Sequence, residues 1–200
     1  MDYSRLIQRV RALLVSPRTE WPVIAAEPVT IADLYRDPIA VLAAIGPVCA
    51  FIKTSLIGYG WHGFRVYRLG IGAGLAAAIV SYAVTLVAVY VLAVVIDLLA
   101  PSFGGQQNRL QALKVAAWSC TGVWLAGFAH LLPSFSVLLF LAGDAYSVYL
   151  LYTGLPALMQ VPPERSAAYT AAAAITALVL GWIVSLLTGG ITGVRFGLDY

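Results

Sequence analysis

The order of apolar and polar positions divides this chain into one short amphipathic stretch and five long apolar ones. In residues 3–15, Leu6, Val10, Leu13 and Leu14 recur at helical spacing, while Arg5, Gln8, Arg9 and Arg11 take much of the remaining surface. This predicts an amphipathic helix ended by Pro17. Further along, stretches of 18 or more residues with few charges read as membrane spans. Five fit the chain, over residues 38–57, 71–96, 112–132, 134–159 and 167–187. At a rise of about 1.5 Å per residue, twenty residues cross the roughly 30 Å hydrocarbon core. The second and fourth spans are longer and should tilt or project. Gly46 and Pro47 predict a kink in the first, and Pro156 falls near the end of the fourth. Only Pro133 separates the third and fourth spans, which predicts a tight antiparallel hairpin. No internal repeat is evident, and the short linkers leave no room for an inserted soluble domain.

Composition agrees with the pattern. Of the 200 residues 61% are hydrophobic and 10% charged, against roughly 45–50% and 25% in soluble domains. A soluble fold this small leaves too much surface in water to hide so many apolar side chains. The fold class is therefore an all-α polytopic membrane bundle. The expected organisation is an N-terminal segment with the amphipathic helix (1–36), a five-span domain (37–188) and a Gly-rich tail (189–200). Residues 1–20 hold four arginines and no apolar core ending in a cleavage site, so no secretory signal is predicted. A net charge of +3, spread along the chain, excludes a nucleic-acid module. With the N-terminus inside, eight basic residues (Arg5, Arg9, Arg11, Arg18, Arg36, Arg109, Lys114 and Arg165) face the cytoplasm and three (Arg65, Arg68 and Arg195) face outward. That satisfies the positive-inside rule and, with five spans, puts the C-terminus outside. Arg5, Arg9, Arg11 and Trp21 are the candidate contacts to a lipid surface, where arginines meet anionic head groups and Trp favours the interface. The alternative is that this helix packs on the protein itself.

Ionisable residues inside spans are the candidates for chemistry, because a charge at the bilayer centre costs roughly 2.5–3.5 kcal/mol on insertion scales. Lys53 lies about one turn from its span's outer end, within snorkelling reach of the interface. Asp97, at the inner end of the second span, is predicted to pair with Lys114 or Arg109 across the short loop. Asp144 lies ten residues past Ser134, roughly 15 Å deep at the helical rise. It must be protonated, lie in a wet cavity or find a partner, and Lys53 is the natural one. Tyr146, Tyr149 and Tyr152 share one face of the fourth helix, as a polar groove or as packing with bonded hydroxyls. His62 and His130 match no metal-binding spacing. Cys49 and Cys120 fall within spans and read as small buried hydrophobes. Residues 72–77 match G-x-G-x-x-A, but that fingerprint needs a strand before it. Gly70, Gly74, Ala73, Ala77 and Ala78 read instead as small residues permitting close helix approach, as do Ala171, Ala172, Ala173 and Ala177. No catalytic constellation, metal site or cofactor motif is found.

Several segments resemble one family. LLVSPRTEWPVIAAEP (13–28), APSFGGQQNRLQALK (100–114) and YLLYTGLPALM (149–159) are similar to bacterial Yip-domain proteins, of the Ypt-interacting-protein family. Asp33-Leu34-Tyr35 resembles the start of the eukaryotic branch's Asp-Leu-Tyr-Gly-Pro motif, from which Arg36 and Asp37 depart. The resemblance implies five spans and a cytoplasmic N-terminus in a bacterial inner membrane. It also implies a non-enzymatic role in organising membrane or recruiting partners; the GTPase link of the eukaryotic relatives is not carried over. Asp144 stands where the family would have a small or apolar residue. The expected partners are the lipid bilayer and either other proteins or further copies of the chain. The alternative function is a small ion or proton transporter using Asp144.

Overall fold

The structure is a computed structural model and describes residues 3–58, 68–132 and 134–192. It is all-α. Two short helices, α1 (Tyr3–Val15) and α2 (Pro17–Ala26), precede four long ones: α3 (Ile31–Ile57), α4 (Ile71–Phe103), α5 (Arg109–Leu131) and α6 (Ser136–Met159). The last is α7 (Pro163–Thr192). Five of these helices, α3 to α7, are long and apolar enough to cross a membrane. No strand occurs among the described residues. The end of the bundle holding residues 104–108 and 160–162 is termed basal, and the end near Gly58, Leu69 and Leu132 distal.

Pro17 does not stop the N-terminal helical region. It ends α1 and opens α2, because proline's missing N–H is no loss at a helix's first position. The first span also begins earlier than the apolar run implies. Thr30 and Asp33 form a capping box: Asp33 N donates to Thr30 Oγ1 at 3.2 Å and Thr30 N donates to Asp33 Oδ2 at 2.9 Å. Helix therefore starts at Ile31 and runs through Pro38. Proline cannot donate to the fourth residue back, and the backbone widens to a π-turn over Tyr35–Ile39. Ahead of Pro47 the helix breaks at a turn on Ala44, near the predicted kink. At the far end α7 continues through Thr192, into the stretch expected as tail.

α5 is the central helix. Its most apolar window is 72% buried within the protein, against 17–28% for the other four spans. It is also the least apolar of the five, which fits a helix that faces protein rather than lipid. Ala112, Ala116 and Ala117 are fully buried and let neighbours approach. Two glycine crossings bring partners closer still. A methyl on Gly122 would lie 2.7 Å from the Gly143 carbonyl oxygen of α6, and one on Gly127 would lie 2.7 Å from Gly46 Cα of α3. α5 and α6 run antiparallel as the predicted hairpin, although Pro133 itself is outside the described residues.

Tyrosine hydroxyls tie the outer helices together by donating to backbone carbonyls: Tyr35 to Leu86 (2.9 Å), Tyr82 to Ala40 (3.0 Å) and Tyr169 to Ile96. At the basal end Gly104 takes a positive φ of 77°. The chain then passes so close to α6 that a methyl on Gly105 would lie 2.8 Å from the Met159 carbonyl oxygen.

Candidate functional site

Two places concentrate polar side chains within this apolar bundle. The first is the seat of the α1–α2 hairpin. Every helix leaves its last carbonyls without intrahelical donors, and α2 ends against protein. Lys114 of α5 supplies the donors. Its Nζ donates to the carbonyls of Ile24 (2.8 Å), Ala25 (3.2 Å) and Glu27 (2.8 Å), and Gln111 Nε2 adds a second bond to Ala25 (3.0 Å). The ammonium also lies at the negative end of the helix dipole. Lys114, only 2% exposed, thus directs its ammonium to backbone carbonyls and not to the ion pair expected with Asp97. Among the described residues Asp97 pairs with Arg109, Nε to Oδ2 at 2.9 Å.

Trp21 is likewise corrected from a lipid-surface residue to a buried one. Its ring rests on Gly154 of α6, where a methyl would come within 2.7 Å, and its Nε1 donates to Thr153 Oγ1 at 3.0 Å. Tyr146 donates its hydroxyl to the carbonyls of Leu13 (3.0 Å) and Leu14 (2.9 Å), the last turn of α1. Of the tyrosine face, Tyr146 thus packs on the N-terminal helices, whereas Tyr152 is exposed. Tyr149 lies beside Tyr146, ring centroids 5.7 Å apart, and is partly exposed. Arg9 is also drawn inward, to Glu20 (2.6 Å) and Glu27 (3.0 Å). Arg5 and Arg11 stay on the exposed side of α1 with Tyr3, Ile7 and Val15.

These contacts fix the hairpin's height. Tyr146 lies thirteen residues from Met159, roughly 20 Å along α6. The α1–α2 turn therefore stands level with the middle of a membrane-crossing helix. It does not lie flat beneath the bundle.

The second place surrounds Asp144. Eight residues past Ser136, it lies roughly 12 Å along α6. It has no hydrogen-bond or ion-pair partner among the described residues. The pairing expected with Lys53 is absent; Lys53 is buried in the last turns of α3. Asp144 instead lines a cavity of about 460 Å³ between α4, α5, α6 and α7. Ser119, Ser147 and Thr85 share the lining with two indoles, Trp124 and Trp182. Ser147 Oγ accepts from Val123 N at 2.9 Å, just past the break in α5 at Cys120. Ser119 is 1% exposed and its hydroxyl has no partner among the described residues. A second cavity, of about 790 Å³, extends toward the distal end past Ser81, His130 and Arg68. The two share Thr85, Trp124, Gly181 and Val184 as walls, so they adjoin. His62 lies outside the described residues.

The sequence matches the Yip1 domain over residues 11–185. The chain belongs to the Yip1 domain family. Among curated relatives it is similar to the inner membrane protein YohC of Escherichia coli strain K12, 30% identical over 97% of this chain and 98% of that protein. The figures are the same for YohC of E. coli O6:H1 strain CFT073. No solved structure matches. The three segments that carry the Yip resemblance meet at the hairpin seat. Trp21 and the carbonyls of Ile24 to Glu27 come from 13–28, Lys114 from 100–114, and Thr153 and Gly154 from 149–159. Gln106 N closes the set on the Met159 carbonyl at 2.9 Å. In this Yip1-domain chain Asp144 and Ser119 fall outside those segments. Sequence reasoning misses Lys114 as a helix cap and Gly122, Gly127, Gly143 and Gly154 as contact points. Glycines within long apolar runs are the available signal.

Proposed function

We propose that this protein organises the bilayer non-enzymatically, with the α1–α2 hairpin acting as a wedge in one leaflet of a bacterial inner membrane. One observation carries the reading. The hairpin is clamped to the bundle by Lys114, Trp21 and Tyr146 and reaches only to mid-height on α6. A helix pair embedded to half depth adds cross-section to one leaflet and none to the other. Its outer flank suits that place, with exposed Ile7 (66%) and Val15 (73%) for acyl chains and Arg5, farther from the turn, for anionic head groups. The positive-inside distribution favours the cytoplasmic side for this leaflet. The same flank is a surface to which another membrane protein or a second copy can be recruited. The test is reconstitution into vesicles containing anionic lipid, with vesicle diameter read by cryo-electron microscopy. The full chain should shift the population to smaller or tubular vesicles. Deleting residues 1–17, or replacing both Ile7 and Val15 with Asp, should abolish the shift. Identical populations for all three proteins would remove the wedge.

A second reading, a small cation or proton transporter, is favoured by Asp144, which has no partner among the described residues, and by the adjoining cavities that run from it toward the distal end. It requires ion flux in liposomes that Asp144→Asn abolishes.

A further inference from the structure

We infer that the Asp144 cavity is a binding site for a hydrophobic organic ammonium, its N–H groups on the Asp144 carboxylate and its apolar body in the surrounding space. This rests on the same carboxylate as the transporter reading but gives it a hydrophobic organic cation in place of a small ion. Its test measures binding and not flux, so the two fail separately.

The space is lined mainly by apolar side chains, in a protein whose outer surface faces hydrocarbon. Such a wall disfavours a hydrated inorganic ion and accepts a hydrocarbon skeleton. Asp144 is the one acidic or basic side chain in the lining, and no cation among the described residues satisfies it. Charge complementarity therefore selects a cation. Independently, the Ser119 hydroxyl is buried in the same lining with its hydrogen-bonding capacity unused. An ammonium has several N–H donors, and a hydroxyl oxygen accepts one. Trp124 and Trp182 add π-faces, which attract a desolvated cation. The cavity opens sideways between α6 and α7, where Val148, Leu178 and Trp182 are exposed. A hydrophobic amine already dissolved in the membrane can enter from there without passing through water.

The probe is 1-naphthylmethylamine, protonated at neutral pH, and its control is the neutral 1-naphthylmethanol, nearly the same in shape. Full-length protein in phosphatidylcholine nanodiscs is equilibrated with each, and bound probe is measured against empty nanodiscs. The amine should bind saturably. Asp144→Asn should weaken it at least tenfold while changing the alcohol's uptake less than twofold. Gly181 borders the cavity, and a methyl group added to it would meet nothing within 4 Å. Gly181→Leu should therefore occupy part of the space and weaken the amine, with no clash at its Cβ. Thermal unfolding of each variant shows whether it has folded; should Asp144→Asn fail, the Gly181→Leu comparison decides alone. Undiminished binding in the folded variants would overturn the proposal. So would amine uptake no greater than in empty nanodiscs, the result expected if acyl chains occupy the cavity.

Discussion

The basal seat and the distal cavities belong to the same helices, yet they treat buried polarity in opposite ways. At the seat the charged groups and the indole are each bonded, and what is left over among the described residues is one oxygen of Asp97 and the amide oxygen of Gln111. Lys114 caps three carbonyls, Arg109 meets Asp97, and the Trp21 indole donates to Thr153. Toward the distal half, Asp144 borders open space and the Ser119 hydroxyl is buried in the wall of the same cavity, each with no partner among the described residues. A buried polar group left unbonded is costly. The seat is therefore where this fold draws specificity, and the cavity is where it leaves capacity unused. Removing a polar group should accordingly be damaging in one region and tolerated in the other.

The largest effect should come from Lys114→Met. It keeps an unbranched apolar stem, one atom shorter, but removes the cap, leaving the carbonyls of Ile24, Ala25 and Glu27 short of a donor. Hydrogen bonds to charged groups are worth about 1.5–3 kcal/mol each. Since they share one ammonium, a total loss on the order of 3 kcal/mol is expected. Thermal unfolding in detergent measures it, and limited proteolysis should show residues 3–27 becoming cleavable first. A variant as stable as the parent would mean that the apolar contacts of Leu13, Trp21 and Ile24 hold the hairpin unaided.

Next is Gly143→Leu, at the α5–α6 crossing. A methyl there would already lie 2.5 Å from Ala126 Cβ, and 2.8 Å from the Gly122 carbonyl oxygen. Overpacking of this kind costs about 1–3 kcal/mol. The same change at Gly181, which meets nothing within 4 Å, should leave unfolding nearly unmoved. A smaller effect is expected from Tyr146→Phe, which deletes only the hydroxyl donated to Leu13 and Leu14. About 1 kcal/mol should be lost, and the end of α1 should become more accessible to protease while α2 stays protected.

The contrast between the two regions also separates what the sequence reveals from what it conceals. Five spans follow from length and apolarity, since hydrocarbon imposes its thickness on any helix that crosses it. The Arg109–Asp97 pair follows from a short loop. Lys114 looks like a member of that same pair because charge suggests charge. In the structure it serves a helix end ninety residues away in sequence, a contact that no local pattern encodes. Trp21 looks interfacial because Trp is common there, and the glycine beneath it, Gly154, is the signal that points inward instead. Pro17 reads as a stop when it is also a start. Asp144 stands out as anomalous in sequence and in structure alike. Its partner does not follow, since loop charges fix which half of the membrane a residue occupies but not which face of its helix it is on.

The smallest effect, and the sharpest test of the comparison, is Asp144→Asn. At the seat, losing one charged group breaks several bonds at once. At Asp144 there is no bond to another described residue to break, and the side chain borders a cavity with room for either group. Stability in detergent without added amine should change by no more than about 0.5 kcal/mol. The sign carries information. A carboxylate far from the ends of a spanning helix is poorly solvated there, and an amide is neutral, so any change should favour the variant. Marked destabilisation would mean that the carboxyl already holds a structural bond, and the division between a satisfied seat and an unsatisfied cavity would fail.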